Sequence, residues 1–214
     1  MTVTLIFGGT FDPVHFGHLR SALALLDLFD DAQLVMIPCE IPPHRPRPAA
    51  NGKHRLNMLN LAVEEERSIV IDDCELRREG ESFTFDTLRM YRKRWSDAPL
   101  YFVLGSDAWV TLTSWYRWQE LINFAHLTVL NRPGEPVSES PELNSWAGPI
   151  TAELGAISGK AGNVVRLTLE QFEMSATAVR TALARGRSVA DCVPKNVINY
   201  IQANRLYRNS HDRP

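Results

Sequence analysis

The first 29 residues constrain the fold more than any other part of the chain. A short apolar run, Val3 to Phe7, is typical of a buried strand, and a helical pattern covers 19–29. Between them lies turn 8–18, with the sequence Gly-Gly-Thr-Phe-Asp-Pro-Val-His-Phe-Gly-His. Glycines at such a turn tolerate positive φ and let the backbone approach a ligand closely. Because the next helix offers free N–H groups and the positive end of its dipole, the turn predicts a phosphate-binding site.

Two histidines, His15 and His18, lie at the end of this turn. Their spacing of three residues places both side chains on one face if they belong to a first helical turn. Whether protonated or neutral, an imidazole can donate a hydrogen bond to a phosphate oxygen. A glycine pair or a single histidine at a helix start is common and often has only a structural role. The hypothesis of an anion site therefore depends on the combination.

Apolar runs and helical patterns alternate along the rest of the chain. The further predicted strands are 33–38, 69–71, 100–104, 126–130 and 164–169. The further predicted helices are 53–66, 81–95, 119–124, a short one near Ser145, one that begins near Ser175, and 194–207. Strand–helix–strand order implies a parallel sheet. The sequence predicts one α/β domain over residues 1–214, a Rossmann-like doubly wound parallel sheet with a small C-terminal helical part at about 175–208.

Composition narrows the class of protein. The net charge of -2 argues against a dedicated nucleic-acid-binding protein. The three cysteines are widely spaced and odd in number, so they form neither a disulfide framework nor a zinc-binding spacing. Reduced thiols are typical of a cytoplasmic protein. The chain begins directly with a strand, and no apolar run reaches the length of a membrane span. We expect a cytoplasmic protein without membrane contact.

Two segments that follow strands carry candidate ligand contacts. The loop 39–52 is rich in proline and arginine, and its Arg45 either faces an anionic ligand or belongs to a solvated loop. After the strand 100–104, Gly105 opens space, and Asp107 can accept hydrogen bonds from a ribose or a base. Both segments leave carboxyl ends of strands, where α/β sheets bind ligands.

Aromatic residues and a helix start suggest a second part of the site. Trp109, Trp115, Tyr116 and Trp118 crowd together, and they either stack on a flat ring or pack in the core. At the start of the helix 81–95, Ser82 or Thr84 supplies a capping hydroxyl, or the exposed N–H groups bind a carboxylate.

The segment from Met174 to Arg180 offers another anion site. Ser175 or Thr177 caps the helix that follows, and Arg180 can reach the same anion as the helix amides. This signal is weak when taken alone.

For the other charged residues, the sequence favours a position at the surface or in a turn over contact with a ligand or metal. Arg55 is either a surface residue or a phosphate contact, and sequence alone favours the surface. The sequence favours an acidic turn over a metal site for the carboxylates Asp72, Asp73 and Glu75.

These motifs resemble a known superfamily. Gly8 to Pro13 with His15 to His18 resembles the nucleotidyltransferase signature G-G-x-F-D-P…H-x-G-H. Met174 to Arg180 resembles its second segment, I-S-S-T-x-I/V-R, with methionine for isoleucine and Ala176 for the second serine. The superfamily transfers a nucleoside monophosphate from a triphosphate and releases pyrophosphate. The resemblance therefore implies an enzyme in which positioning and charge stabilisation provide most of the catalysis.

The middle of the chain resembles one branch, the bacterial nicotinate-mononucleotide adenylyltransferases. The matching segments are Pro42-Pro43-His44-Arg45, Lys53-His54-Arg55-Leu56, Phe83 to Leu88, Gly105-Ser106-Asp107 and Trp115-Tyr116. The resemblance spans about residues 3–208 and lacks matches at 135–162. It implies condensation of ATP with nicotinate mononucleotide to deamido-NAD and pyrophosphate, in NAD biosynthesis.

The resemblance also implies roles for residues. His15 and His18 would be catalytic. ATP would contact Gly8, Gly9, Thr10, Phe11, His18, Gly105, Asp107, Ser175, Thr177 and Arg180. Nicotinate mononucleotide would contact Arg45, Thr84, Trp115, Tyr116 and Arg132, with Trp115 stacked on the pyridine ring. Mg²⁺ would enter with ATP, and no metal site made by the protein is expected.

Other functions remain open from the sequence. A sister enzyme, such as pantetheine-phosphate adenylyltransferase, gives no reason for the Trp115-Tyr116 pair. A non-catalytic nucleotide-binding regulator or a dehydrogenase of Rossmann type would require G-x-G-x-x-G after the first strand. A tRNA synthetase fragment would require lysines beside Met174. The expected partners are the two small-molecule substrates. The sequence also permits a homo-oligomer, and it does not tell whether loop 39–52 closes over substrate.

Overall fold

The apolar runs pair into one sheet in the computed structural model, which describes residues 2–40, 47–78, 80–131, 139–154, 157–169 and 174–208. The strands are β1 Val3–Gly9, β2 Ala32–Pro38, β3 Ile69–Ile71, β4 Leu100–Gly105, β5 His126–Asn131, β6 Ile150–Thr151 and β7 Val164–Thr168. The helices are α1 Phe16–Leu26, α2 Gly52–Ala62, α3 Thr84–Arg94, α4 Ser106–Trp109, α5 Pro141–Ala147, α6 Ala176–Ala184 and α7 Lys195–Ala203. Two 3₁₀ helices cover Leu112–Ser114 and Trp118–Asn123.

All seven strands are parallel, in the order β3-β2-β1-β4-β5-β7-β6. The chain runs outward from β1 to β2 and β3, then returns to place β4 on the other side of β1. The strand order therefore reverses between β1 and β4, and in open α/β sheets the ligand crevice lies at the carboxyl ends of the strands at that point. The predicted doubly wound parallel sheet is confirmed.

Alternating side chains along the strands build two apolar layers, one on each face of the sheet. Leu5 of β1 belongs to one layer and Ile6 to the other. The first layer contains residues of α1, α2, α6 and α7, including Val197 and Ile201. The second contains residues of α3 and both 3₁₀ helices. Helices α6 and α7 thus share a core with α1. This shared packing places the ends of α6 and α7 beside turn 8–18.

Several element boundaries differ from the predicted ones. Helix α1 begins at Phe16 rather than at Leu19, since the Phe16 amide donates to the Cys192 carbonyl at 2.8 Å and the His18 amide to the His15 carbonyl at 2.9 Å. The predicted helix 119–124 is a 3₁₀ helix, and the two-residue edge strand β6 was not predicted. The short helix near Ser145 is confirmed as α5. Among the described residues, no helix is long and apolar enough to cross a membrane.

Candidate active site

Turn 8–18 leaves the carboxyl end of β1 beside the crevice. The sequence suggested that the glycines at the start of the turn could adopt a positive φ. Neither Gly8 nor Gly9 does, whereas Phe11 has a φ of 49°. Gly9 is needed for space, because a Cβ there would lie only 2.8 Å from Cζ of the Phe11 ring. The backbone of the turn is therefore packed directly on a buried aromatic ring.

The two histidines lie together at the start of α1. His15 is the N-cap residue, and its ring stacks on that of His18 with centroids 3.7 Å apart. The His15 amide donates to Nδ1 of His18 at 3.3 Å, so the neutral His18 ring carries its proton on Nε2. Gly17 permits the stack, since a Cβ there would lie 3.0 Å from Nδ1 of His15.

Burial controls the charge of this pair. Desolvation lowers the pKa of His15 to about 4, although a backbone hydrogen bond opposes the shift. Desolvation, followed by the charge of His15, holds the pKa of His18 well below 6.5. Both rings are therefore neutral at pH 7, and each keeps one N–H donor. Nδ1 of His15 is buried and has no hydrogen-bond partner among the described residues.

The segment 174–180 lies next to this turn. Ser175 is the N-cap of α6 and accepts from the Ala178 amide at 3.1 Å, so the predicted cap is confirmed for Ser175. A Cβ on Gly17 would contact Cβ of Met174 at 3.5 Å, which shows how close the starts of α1 and α6 are. Arg180 donates to the Asp12 carbonyl at 2.7 Å and to Oγ1 of Thr177 at 3.2 Å. The two motifs that sequence pattern singled out therefore meet in space.

Gly105 marks the opposite wall of the crevice, at the carboxyl end of β4. Residue Phe7 pairs with Val103, and the same register continued by two residues sets Gly9 opposite Gly105. A Cβ on Gly105 would lie 2.6 Å from Oδ1 of Asp107, so the glycine makes room for that carboxylate. Asp107 itself is exposed on α4, at the edge of the crevice.

Thr84 and Tyr116 lie at the start of α3, and Trp115 precedes Tyr116 in the chain. Thr84 is the first residue of that helix, and the Tyr116 ring lies 4.7 Å from Phe83 and 5.8 Å from Phe85, its two neighbours. Half-buried Trp115 makes an edge contact with the Phe102 ring of β4 at 6.4 Å. Of the residues predicted to hold a pyridine ring and its carboxylate, Tyr116 thus lies beside the helix start that contains Thr84.

The predicted cap of α3 is wrong. The N-cap residue is Phe83, whose side chain cannot cap, and none of the described side chains makes a capping hydrogen bond there. Ser82 is turned away and accepts from the Glu40 amide at 3.0 Å, while Thr84 is already inside the helix. A helix start without a cap leaves its first N–H groups for water or an anion.

The aromatic cluster divides into two pairs. Trp109 is fully buried and its Nε1 donates to Oε1 of Glu139 at 2.6 Å. Trp118 is buried and packs on Trp146, with ring centroids 4.7 Å apart. These two tryptophans belong to the core, as the plain interpretation held, whereas Trp115 is half-buried against the same apolar layer and Tyr116 is exposed.

Arg55 does not lie at the surface, and that prediction is wrong. The side chain is 1% exposed and donates to the carbonyls of Thr10 at 2.8 Å and of Ala50 at 3.1 Å. Its Nη2 also lies 3.7 Å from the Glu40 carboxylate. Helical spacing carried the missed signal, because Arg55 shares the buried face of α2 with Gly52 and Leu59.

Asp12 was also missed as a structural residue. Its buried carboxylate accepts from the amides of Ala49 at 2.7 Å and Ala50 at 3.0 Å and from the Tyr207 hydroxyl at 2.7 Å. No local pattern signals these contacts, because the partners lie far away in the chain.

The acidic turn after β3 is occupied by hydrogen bonds. Asp72 accepts from the Tyr91 hydroxyl at 2.6 Å, and buried Glu75 accepts from Thr87 at 2.6 Å. Within the part of the chain that the structure describes, no group of three or more His, Cys, Asp or Glu side chains could hold a metal ion. Arg45 and Arg132, together with His44, lie outside the described residues.

Residues 6–182 match the model of the cytidylyltransferase-like family. Relatives named probable nicotinate-nucleotide adenylyltransferase, from Hahella chejuensis and Pseudomonas putida, are 44% and 42% identical, over 95% of this chain and 94% of each relative. A relative from Escherichia coli O6:H1, named nicotinate-nucleotide adenylyltransferase, is 36% identical over 95% of this chain and 97% of its own. The chain belongs to the cytidylyltransferase-like family and, within it, to the nicotinate-nucleotide adenylyltransferases.

Solved structures show the same fold. The Plasmodium falciparum nicotinic acid mononucleotide adenylyltransferase complexed with NaAD superposes with a TM-score of 0.75, 18% identity, and coverage of 97% of this chain and 98% of that one. The complex of that protein with APC gives a TM-score of 0.71 at the same identity and coverage. At this identity the likeness concerns the fold.

Proposed function

We propose that the protein transfers the adenylyl group of ATP to nicotinate mononucleotide. A phosphate oxygen of the mononucleotide attacks the α-phosphorus of ATP, the bond to the bridging oxygen breaks, and pyrophosphate leaves. The attacking oxygen is already anionic, so no general base is required. The observation that carries the proposal is one crevice with two ends: stacked histidines beside the start of α6, and an uncapped helix start between aromatic rings. The names of the relatives support it.

Turn 8–18 supplies donors where charge builds. The backbone amides of Gly9 and Thr10 are assigned to triphosphate oxygens. The neutral rings of His15 and His18 donate to the α-phosphate and the leaving group. Desolvation lowers their pKa values, whereas the negative charge of a bound phosphate acts in the opposite direction. The hydrogen bonds from both rings therefore strengthen as negative charge builds in the transition state.

The start of α6 is assigned to the β- and γ-phosphates. The Ser175 oxygen accepts from the Ala178 amide, which leaves the hydroxyl proton available for donation to phosphate. The remaining free amides of the first turn and the Arg180 guanidinium add charge and donors. Arg180 uses two of its five donors on Asp12 and Thr177, so it is held in place before substrate arrives.

Mg²⁺ belongs to the proposal as an ion that ATP brings. A hard cation takes oxygen ligands, and the groups described around the crevice are mainly N–H donors, which suit phosphate instead. The Asp12 carboxylate already accepts three hydrogen bonds. Phosphate oxygens and water would thus hold the ion, while Ser175, Thr177 and Arg180 hold the phosphates. When bound, Mg²⁺ neutralises charge on the leaving pyrophosphate.

The pyridine ring is assigned to the start of α3. Trp115 stacks on the ring, and the amides at Thr84 and Tyr116 bind its carboxylate, consistent with a helix that has no side-chain cap. A carboxamide would turn its own N–H donors toward these amides, so the acid is preferred over the amide. Gly105 and Asp107 are assigned to the adenosine, and Arg45 and Arg132 to the mononucleotide phosphate.

We propose the cytoplasm as the compartment of the reaction, with the two small molecules as partners. The three cysteines are free thiols, and burial raises the pKa of Cys74 to about 12, so that thiol is unreactive. Free thiols agree with a reducing compartment.

Pyrophosphate release from ATP and Mg²⁺ tests the proposal. Nicotinate mononucleotide, nicotinamide mononucleotide and phosphopantetheine are compared side by side. We expect fast release with the nicotinate form alone. Equal rates with both mononucleotides would keep the reaction and reject the account of specificity. Release with phosphopantetheine alone, or with none of the three, would overturn the proposal.

A further inference from the structure

The chain turns back after α7 and brings Tyr207 to the phosphate side of the crevice. Two residues without glycine's freedom adopt left-handed backbone there, Arg205 at φ 53° and Tyr207 at φ 60°. The Leu206 amide donates to the Ile201 carbonyl at 3.0 Å, and the Tyr207 hydroxyl donates to Oδ1 of Asp12 at 2.7 Å. Residues 205–207 thus keep an unfavourable backbone conformation where the segment after α7 contacts turn 8–18.

Asp12 connects this hydroxyl to Arg180. The carboxylate is buried, and the two amides of Ala49 and Ala50 hold it together with Tyr207. Nη1 of Arg180 donates to the carbonyl of the same residue at 2.7 Å and lies 3.9 Å from its Oδ2. Any shift of Asp12 therefore moves the acceptor that holds the guanidinium.

A fixed guanidinium matters for binding a triphosphate. A free arginine side chain loses about 2 kcal/mol of rotamer entropy when it is immobilised. If the side chain is already held in the free protein, less of that cost falls on the binding step. Since Thr177 is the other described tether of Arg180, the position of the guanidinium depends on the Asp12 junction.

We infer that Tyr207 is a positioning residue for ATP, whose hydroxyl fixes Arg180 through Asp12. The inference rests on the proposed role of Arg180 at the phosphates. Burial, with the hydrogen bond to Asp12 as the second cause, raises the pKa of Tyr207, so the hydroxyl remains a donor at neutral and moderately alkaline pH.

The chain provides a matched control for a tyrosine without its hydroxyl. Tyr200, on α7, also has a half-buried hydroxyl in hydrogen bonds: it accepts from Nδ2 of Asn57 at 2.8 Å and lies 2.9 Å from Nδ1 of His54. Those contacts lead to α2 and not to turn 8–18. Tyr207→Phe and Tyr200→Phe thus each remove one hydroxyl from the C-terminal part, and only the first touches the Asp12 junction.

Steady-state kinetics, ATP binding by calorimetry and thermal unfolding separate the two roles. We expect Tyr207→Phe to raise the KM and the Kd for ATP about fivefold to tenfold. This is less than the full loss of a hydrogen bond to a charged group, because Tyr207 acts on the guanidinium only through Asp12. The KM for nicotinate mononucleotide stays within about twofold, and Tyr200→Phe keeps wild-type constants. In an Arg180→Ala background, Tyr207→Phe adds no further loss.

Other results in these measurements would overturn either the inference about Tyr207 or the proposed function. If Tyr207→Phe lowers Tm as Tyr200→Phe does and leaves the ATP constants unchanged, or if its effect persists without Arg180, the inference is overturned. If Tyr207→Phe does not fold, Asp12→Asn decides, because it keeps the tyrosine and must show the same rise in the Kd for ATP. Failure of the wild-type protein to release pyrophosphate would instead reject the proposed function.

Discussion

The two ends of the crevice are built differently. The phosphate end comprises turn 8–18 and segment 174–180. Partly buried hydrogen bonds from distant parts of the chain close it, through Arg55 and Asp12. The pyridine end, which comprises Thr84, Trp115 and Tyr116, consists of a helix without a cap and partly exposed rings. Tyr116 is 49% exposed, whereas His15 is 5% exposed.

This difference follows the chemistry assigned to each end. Stabilising charge on a reacting phosphate requires donors that are fixed and shielded from water before the reaction. Choosing a substrate requires only complementary binding, which exposed rings and amides can provide. We therefore expect changes at the phosphate end to affect kcat, ATP binding or folding, and changes at the pyridine end to affect the KM for the mononucleotide.

The largest effect is expected from His18→Ala. Removing a donor to the transition state should lower kcat about 10²–10⁴-fold, with a smaller change in the KM for ATP. His54→Ala is the matched control, because His54 contacts Tyr200 away from turn 8–18. Steady-state kinetics of both variants provide the measurement. Equal losses in kcat and in ATP affinity would show that His18 only binds.

Arg55→Met should destabilise the fold by about 3 kcal/mol. The change leaves the carbonyls of Thr10 and Ala50 buried without their charged donor. Arg89→Met is the control, since Arg89 is exposed and bonds Asp86 within its own helix, and we expect about 0.5 kcal/mol or less there. Urea unfolding measures both. Similar losses in the two variants would contradict a rigid phosphate end that depends on Arg55.

Acid should weaken the fold through His15. The unfolded chain takes up a proton near pH 6.5, whereas the folded protein resists until about pH 4, so stability falls as pH falls through this range. Between pH 7 and 4.5 the wild type should lose about 2 kcal/mol more than His15→Gln. Urea unfolding at the two pH values gives this difference. Parallel losses in both proteins would show that His15 is not desolvated.

The smallest effect is expected at the pyridine end. Trp115→Ala should raise the KM for nicotinate mononucleotide about tenfold, because one stacking surface is lost, and should leave the KM for ATP nearly unchanged. Trp146→Ala, which removes a half-buried tryptophan that packs on Trp118, serves as the control. A loss of ATP affinity in Trp115→Ala would mean that the two ends are not separate.

Local pattern was sufficient for most of the sheet and for the glycine turn and helix start that form the phosphate end. The strand, the glycine turn and the helix at the start of the chain each have a short-range signal, and so does the Ser175 cap of α6. The charge of Arg55 favoured a surface position in the sequence. Its helical spacing, which places it on the buried face of α2, indicated burial instead. The start of α1 at Phe16 depends on the Cys192 carbonyl, a tertiary bond that no local window contains.

Asp12 shows most clearly which contacts a local sequence pattern cannot predict. Its partners Arg180 and Tyr207 lie 168 and 195 residues away, so only the folded chain brings them together. The uncapped start of α3 has a similar cause. Ser82 is the obvious cap in the sequence, yet the Glu40 amide of another loop takes its hydroxyl oxygen.

A single-turnover measurement at saturating ATP and nicotinate mononucleotide tests the division between the two ends most directly. Rapid quenching follows deamido-NAD formation in the wild type, His18→Ala and Trp115→Ala, so that binding no longer limits the rate. The account predicts a rate about 10²–10⁴-fold lower for His18→Ala and within about threefold of wild type for Trp115→Ala. Equal slowing of both variants, or a wild-type rate in His18→Ala, would contradict it.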